Sequence, residues 1–206
     1  MLRQRHFLLL VTLVLASLGS GLASAAQESA TALVERTTMR MLDTLEQRRA
    51  EIERDPSLIY GLLEDQVAPH FDFVRITQGA VGRYWREASQ AQRQRLVDSF
   101  KQVLIRTYAR SLLSYSGEEI RYLPVRPSSR PNRVTVATEV QQSGGSPIPV
   151  DYRMYDGGSG WKVYDVVISN ASLVGNYRSD FATEIRRSGI DGLIARLEDM
   201  NLKGRE

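Results

Sequence analysis

Apolar positions repeat every three to four residues through the first half of the chain, every two in the middle, and every three to four again at the end. Residues 29–54 place Val34, Met41, Leu42, Leu45 and Ile52 on one stripe, which predicts a helix. Asp55-Pro56 reads as the next helix start, a cap followed by proline in the first turn. Ile59, Leu62, Leu63 and Val67 form that helix's apolar face, and Pro69 ends it. Phe71 to Ala88 predicts a helix interrupted at Gly79 and Gly82. Ser89 with Gln92 makes a capping box. Behind it Leu96, Phe100, Val103, Leu104, Thr107, Tyr108, Ser111 and Leu112 recur at three and four, the strongest helical pattern present.

Beyond Gly117 the period becomes two. Ile120 to Val125 predicts a first strand, and Arg133 to Val140 a second, with Val134, Val136 and Val140 on one face. After the turn Ser143-Gly144-Gly145-Ser146, Ile148, Val150, Tyr152 and Met154 alternate with Asp151 and Arg153. Asp156-Gly157-Gly158-Ser159-Gly160 is a turn, and Trp161 to Ile168 is the last strand. Turns this short make the sheet an antiparallel meander with one face to be covered by helices. The tail is helical: Leu173, Tyr177, Phe181 and Ile185 step by four, Gly189 terminates, and Asp191 caps a short last helix. The fold class is therefore α+β.

The start of the chain sets the compartment. Arg3 and Arg5, the apolar run Phe7 to Leu18 and the small residues Ala23-Ser24-Ala25 have the three-part layout of a secretory signal peptide over residues 1–25. Twelve apolar residues are too few for a spanning helix, which needs about 20. Position 20 to 28 holds no Cys, so no lipoprotein anchor is expected. Cleavage leaves 181 of 206 residues, 26–206, as a single domain starting at Ala26 or Gln27. Its helical parts span about 26–115 and 170–206, and its sheet about 118–169. Without Arg3 and Arg5 the charge is 25 against 24, a net +1, which argues against a nucleic-acid binder.

The catalytic inventory is thin. There is no Cys, and His70 is the single histidine after cleavage, which excludes a Cys–His pair and disfavours zinc. No Gly-x-Ser-x-Gly elbow or phosphate loop is present. His70 reads as a helix-end cation. One enzyme reading uses Asp151, Tyr152, Tyr164 and Asp165 as an acid–base set in a sheet-lined pocket. Alternation counts against it, since it sends Asp151 to the face opposite Val150, Tyr152 and Met154. No catalytic or metal site and no cofactor are expected. The Val/Tyr/Met strand face is a filled core or, less often, a binding cavity.

An ordered set of segments carries further. It comprises Asp55-Pro56 with Gly61-Leu62-Leu63, Gly82-Arg83-Tyr84-Trp85 with Ala88 and Gln92-Arg93, and Phe100 with Arg106-Thr107-Tyr108-Ala109. Trp161-Lys162-Val163-Tyr164-Asp165-Val166, Ser172-Leu173-Val174 with Asn176-Tyr177-Arg178 and Phe181, and Gly189-Ile190-Asp191-Gly192-Leu193-Ile194 with Leu197 follow. Together, over about residues 31–199, the chain resembles the MlaC family of periplasmic phospholipid carriers, also called toluene-tolerance proteins. It departs at Ser169-Asn170, where the family often has Glu-Gly, which concerns only the exit from the last strand.

The resemblance implies a curved nuclear-transport-factor-2-like sheet covered by helices, with an added helical subdomain. It implies a soluble monomeric carrier and no enzyme. Phospholipid would be cargo, shuttled between an inner-membrane ABC-transporter complex and an outer-membrane lipoprotein–porin complex to keep the outer membrane asymmetric. Exposing about thirty acyl methylenes to water costs on the order of 20 kcal/mol, so both tails must be enclosed. On this reading Val136, Val150, Tyr152 and Met154 of the sheet face Leu104, Tyr108, Leu173 and Tyr177 of the helices across a lipid cavity. Gly79, Gly82 and Gly175 are either hinges for its opening or close-packing sites.

The intact mass of the exported protein, recovered by osmotic shock, should correspond to a chain beginning at Ala26 or Gln27. A membrane-bound product of all 206 residues would contradict the free-carrier expectation.

Overall fold

The computed structural model describes residues 28–142 and 144–203. The expected signal peptide and mature start lie outside them. Helix α1 (Ala30–Gln47) starts on Ser29, whose hydroxyl accepts from the Ala32 amide. The single helix expected over 29–54 is two, because the backbone breaks at Arg48 before α2 (Arg49–Arg54). The apolar stripe does not register the break, since Ile52 of α2 joins the same cluster as Met41 and Leu45. Helix α3 (Leu58–Gln66) follows Asp55, whose carboxylate accepts from the Ser57 amide and hydroxyl. A 3-10 turn, Ala68–His70, leads to α4 (Phe73–Val81).

The two glycines expected to interrupt α4 act differently. Gly82 ends it with φ 63, a conformation L side chains avoid. Gly79 sits in regular helix, and a Cβ there would lie 2.7 Å from Val174 Cγ1. Its role is close packing against the helix that follows the sheet. Helix α5 (Gln90–Leu113) begins with the predicted Ser89/Gln92 capping box.

The sheet contains β1 (Ile120–Tyr122), β2 (Arg126–Pro127), β3 (Arg133–Val140), β4 (Ile148–Asp156), β5 (Trp161–Ile168) and β6 (Ala171–Ser172). It is open and antiparallel, in the order β1-β3-β4-β5-β6, with β2 also on β3. The strand expected over 120–125 is cut short at Pro124, which cannot donate to the ladder. Ser169 and Asn170, at φ 48 and 67, form the two-residue turn into β6, so the departure at this point is a tight hairpin. Register pairs Val136 with Tyr152 and Val150 with Ile168. A bulge where β4 meets β5 at Arg153/Met154 bends the sheet. Helix α6 (Leu173–Lys203) is two helices meeting at Gly189, whose φ 73 and ψ -179 end the first where termination was expected. Among the described residues no helix is long and apolar enough to cross a membrane.

Three apolar clusters form. Phe100 and Phe181 centre the first, between α4, α5 and α6, with ring centroids 4.9 Å apart. The second joins α1, α2 and α3 to Ile105 and Ala109 of α5. The third sets Leu33 and Val34 of α1 on Val136, Met154 and Val163 of the sheet. Helix α1 therefore straps the sheet to the helical layer.

A buried carboxylate completes the frame. Asp165 of β5 is 3% exposed. It accepts from Arg153 Nη1 at 2.9 Å, Ser172 Oγ at 2.7 Å and the Val174 amide at 3.1 Å. One side chain thus ties β4, β5, β6 and the first turn of α6, where a negative charge meets the positive helix end. Asp165→Ala takes the shared acceptor from three donors and should lower stability by about 3 kcal/mol, against about 1 kcal/mol for Ser172→Ala. Urea denaturation measures both, and equal small losses would show that Asp165 is not the hub.

Candidate functional site

Between the helices and the inner sheet face lies an apolar cavity of about 560 Å³. Helix α1 contributes Leu33, Val34, Thr37, Thr38 and Met41; α5 contributes Leu104, Ile105, Tyr108 and Leu112. The sheet supplies Ile148, Val150, Tyr152 and Met154 from β4, with Val163, Val166 and Ile168 from β5. Alternation along β4 aims all four of its residues the same way.

Exposure grades along the strands. Met154 and Val163, at 0% and 2%, sit where α1 presses on the sheet and close one end. Val150, Tyr152, Val166 and Ile168 are half-buried although they face inward, because they border the hollow; Tyr152 and Val166 also touch the cluster under α1. The other end carries Ile120, Val140 and Ile148, which pair across β1, β3 and β4. Polar residues gather there: Ser111, Ser114, Tyr115, Glu118 and Gln142. From Ile148 to Met154 the hollow extends about 20 Å, at about 3.3 Å per residue.

Six of the eight residues expected at a cavity line it: Leu104, Tyr108, Val150, Tyr152, Met154 and Leu173. Val136 and Tyr177 do not. Val136 is fully buried beneath α1 with Leu33 and Val34, so it shares the cavity face but lies under the strap. Tyr177 turns into the helical core, with its ring 4.7 Å from Phe100 and 5.3 Å from Phe181. Sequence reasoning missed the whole contribution of α1, whose apolar stripe reads like ordinary core packing. It also missed Val166 and Ile168, which strict alternation sends to the face opposite Val163 and which the bulge at Arg153/Met154 returns to the cavity side.

The ionisable groups are engaged structurally. Burial pushes the Tyr152 phenol up to about 12, so it stays protonated as a neutral wall group. His70 closes the 3-10 turn, as expected of a helix end, and lines the cavity, where burial followed by Arg36 and Lys162 lowers its pKa and works against the expected cation. Asp151 pairs with Arg126, and the Tyr164 ring lies under Arg133 at 4.9 Å. With Asp165 committed to its three donors, the four residues of the enzyme reading form no acid–base set. Among the described residues no group of His, Asp or Glu could hold a metal ion.

An open sheet strapped to helices around a one-ended apolar hollow defines a protein built to enclose an apolar ligand. A family model described as MlaC protein matches residues 35–199, and the chain belongs to that family. A Pseudomonas putida protein named toluene tolerance protein ttg2D is 28% identical over 160 residues, 77% of this chain and 74% of that one. The intermembrane phospholipid transport system binding protein MlaC of Haemophilus influenzae is 20% identical over 201 residues, 96% of this chain and 94% of that one. The solved structure of a phospholipid-binding protein from Ralstonia solanacearum, in complex with a phospholipid, superposes with a TM-score of 0.79 at 33% identity. It matches 87% of this chain and 100% of that chain.

Val150→Glu places a charge on the cavity wall and should abolish fluorescence enhancement of the apolar dye N-phenyl-1-naphthylamine while circular dichroism is retained. Val136→Ala, under the strap, should cost about 2 kcal/mol in stability and leave dye binding intact. Normal dye binding by the Val150→Glu protein would remove Val150 from the wall.

Proposed function

We propose that this chain is a phospholipid carrier. The observation that carries the reading is the shape of the cavity: apolar along its length, closed at Met154 and Val163, and polar at one mouth. That shape suits an amphiphile whose tails lie inside and whose head group stays in water. At about 0.8 kcal/mol per methylene, full enclosure of the tails is what makes passage through water feasible. Transfer makes and breaks no covalent bond, in keeping with ionisable groups that hold the frame together. The family membership and the phospholipid in the Ralstonia relative support the same cargo.

The carrier works in the periplasm as a monomer, after removal of residues 1–25. It shuttles lipid between an inner-membrane ABC-transporter complex and an outer-membrane lipoprotein–porin complex. The name of the Haemophilus relative supports movement between membranes.

Organic extraction of the purified, exported protein followed by mass spectrometry should yield diacyl phospholipid at about one or more molecules per chain. Protein that emerges lipid-free and takes none up from vesicles would overturn the carrier reading.

A further inference from the structure

Exposed lining residues locate the mouth. Ser111, Ser114 and Gln142 are exposed, and they gather with Glu118 where α5 ends and β3 leaves the sheet. The charge of this mouth is one-sided. None of the lining residues among those described is Lys or Arg. Asp165 is engaged by Arg153 within the frame. Glu118 remains, its two oxygens accepting from the Ser116 amide and hydroxyl at 2.9 Å each rather than from a cation. These bonds hold its carboxyl below the ordinary value, so it is ionised at neutral pH. Helix α5 ends at Leu113 beside it, and Arg110 in its last turn offsets the partial negative charge of that C-terminus, so the sign of the mouth rests on Glu118. Two neighbouring arginines do not reverse the sign. Arg110 and Arg121 stand outside the lining, and Arg121 faces Glu139 at 3.9 Å.

We propose that this mouth favours phospholipids whose head group carries an amine, the phosphatidylethanolamine type, over anionic ones of the phosphatidylglycerol type. The inference rests on the carrier reading. Both head groups bring the same phosphate, which Glu118 repels. Only the ethanolamine arm brings an ammonium that Glu118 attracts. The mouth is wet, so the contact is screened and the preference is a few-fold.

The test uses the full mature chain, stripped of lipid and incubated at low salt with equimolar phosphatidylethanolamine–phosphatidylglycerol vesicles. The protein is re-isolated, and its lipids are counted by mass spectrometry. The expected result is about three-fold enrichment of phosphatidylethanolamine. Glu118→Gln should bring the ratio to that of the vesicles, Glu118→Lys should invert it, and 0.5 M salt should flatten it for the unaltered protein. Because the salt arm needs no substitution, it stands even if a variant folds poorly. Uptake by the unaltered protein at the vesicle ratio, or enrichment that survives Glu118→Gln, overturns the head-group inference alone. No uptake of either lipid overturns the carrier reading together with it.

Discussion

Keeping an apolar hollow from collapsing is the constraint on which the rest of this structure depends. A dry apolar void costs about 24 cal/mol per Å³, so one of 560 Å³ would cost on the order of 10 kcal/mol. That is comparable with the whole net stability of an ordinary domain, about 5–15 kcal/mol. Walls facing such a hollow cannot be held in place by contact across it and must be fixed from behind. The three clusters do this. One backs α5 with α4 and α6, one backs α1 and α5 with α3, and one clamps α1 to the closed end of the sheet.

Polar contacts supply what the clusters cannot, a fixed angle between sheet and helices. Asp165 ties three strands to the start of α6. At the neighbouring seam the Asp72 amide donates to the Val163 carbonyl at 2.8 Å, and Tyr155 donates to the Asp72 carboxylate. Arg75 completes that group, bonding Asp72 at 3.1 Å and lying over the Tyr155 ring at 4.0 Å. These directional bonds gather along β5 and the chain before α4, near the closed end. The mouth, between the end of α5 and the starts of β1 and β4, is bordered by half-buried Ile120, Val140 and Ile148. Rigidity and access are thereby placed at opposite ends of one cavity.

Much of this was legible in the sequence, and the failures have physical causes. Periodicity located β3 and β5 to the residue and every long helix, because one face of each is buried. It missed the break at Arg48 because α1 and α2 feed one cluster, so the apolar stripe runs on unbroken. Alternation put Val136 and Val150 correctly on the same face, yet one is core and the other cavity wall. Period two reports which side a residue faces, not how far away the opposing layer stands. Tyr177 fails for a related reason: its four-residue spacing with Leu173 and Phe181 marks one helix face, but that face passes from the cavity at Leu173 into the core at Phe181. Distance between layers is set by non-local packing, and α1, more than a hundred residues before the strands it straps, carries no local sign of it.

The same geometry explains how so few polar groups can serve a selective role. Inside, Tyr152 is neutral and burial favours the neutral form of His70, so the walls offer acyl chains little beyond exclusion of water. Exclusion of water is non-directional and distinguishes chains mainly by length and bulk. Chemical discrimination must therefore sit where the cavity meets solvent. Orientation follows from the closed end: an amphiphile with its tails against Met154 and Val163 has its polar part carried about 20 Å along β4 to the region of Ile148. A cavity open at both ends would hold the same tails with no fixed place for the head. It is the strap of α1 across Val136 and Met154 that turns an apolar hollow into a site with a direction.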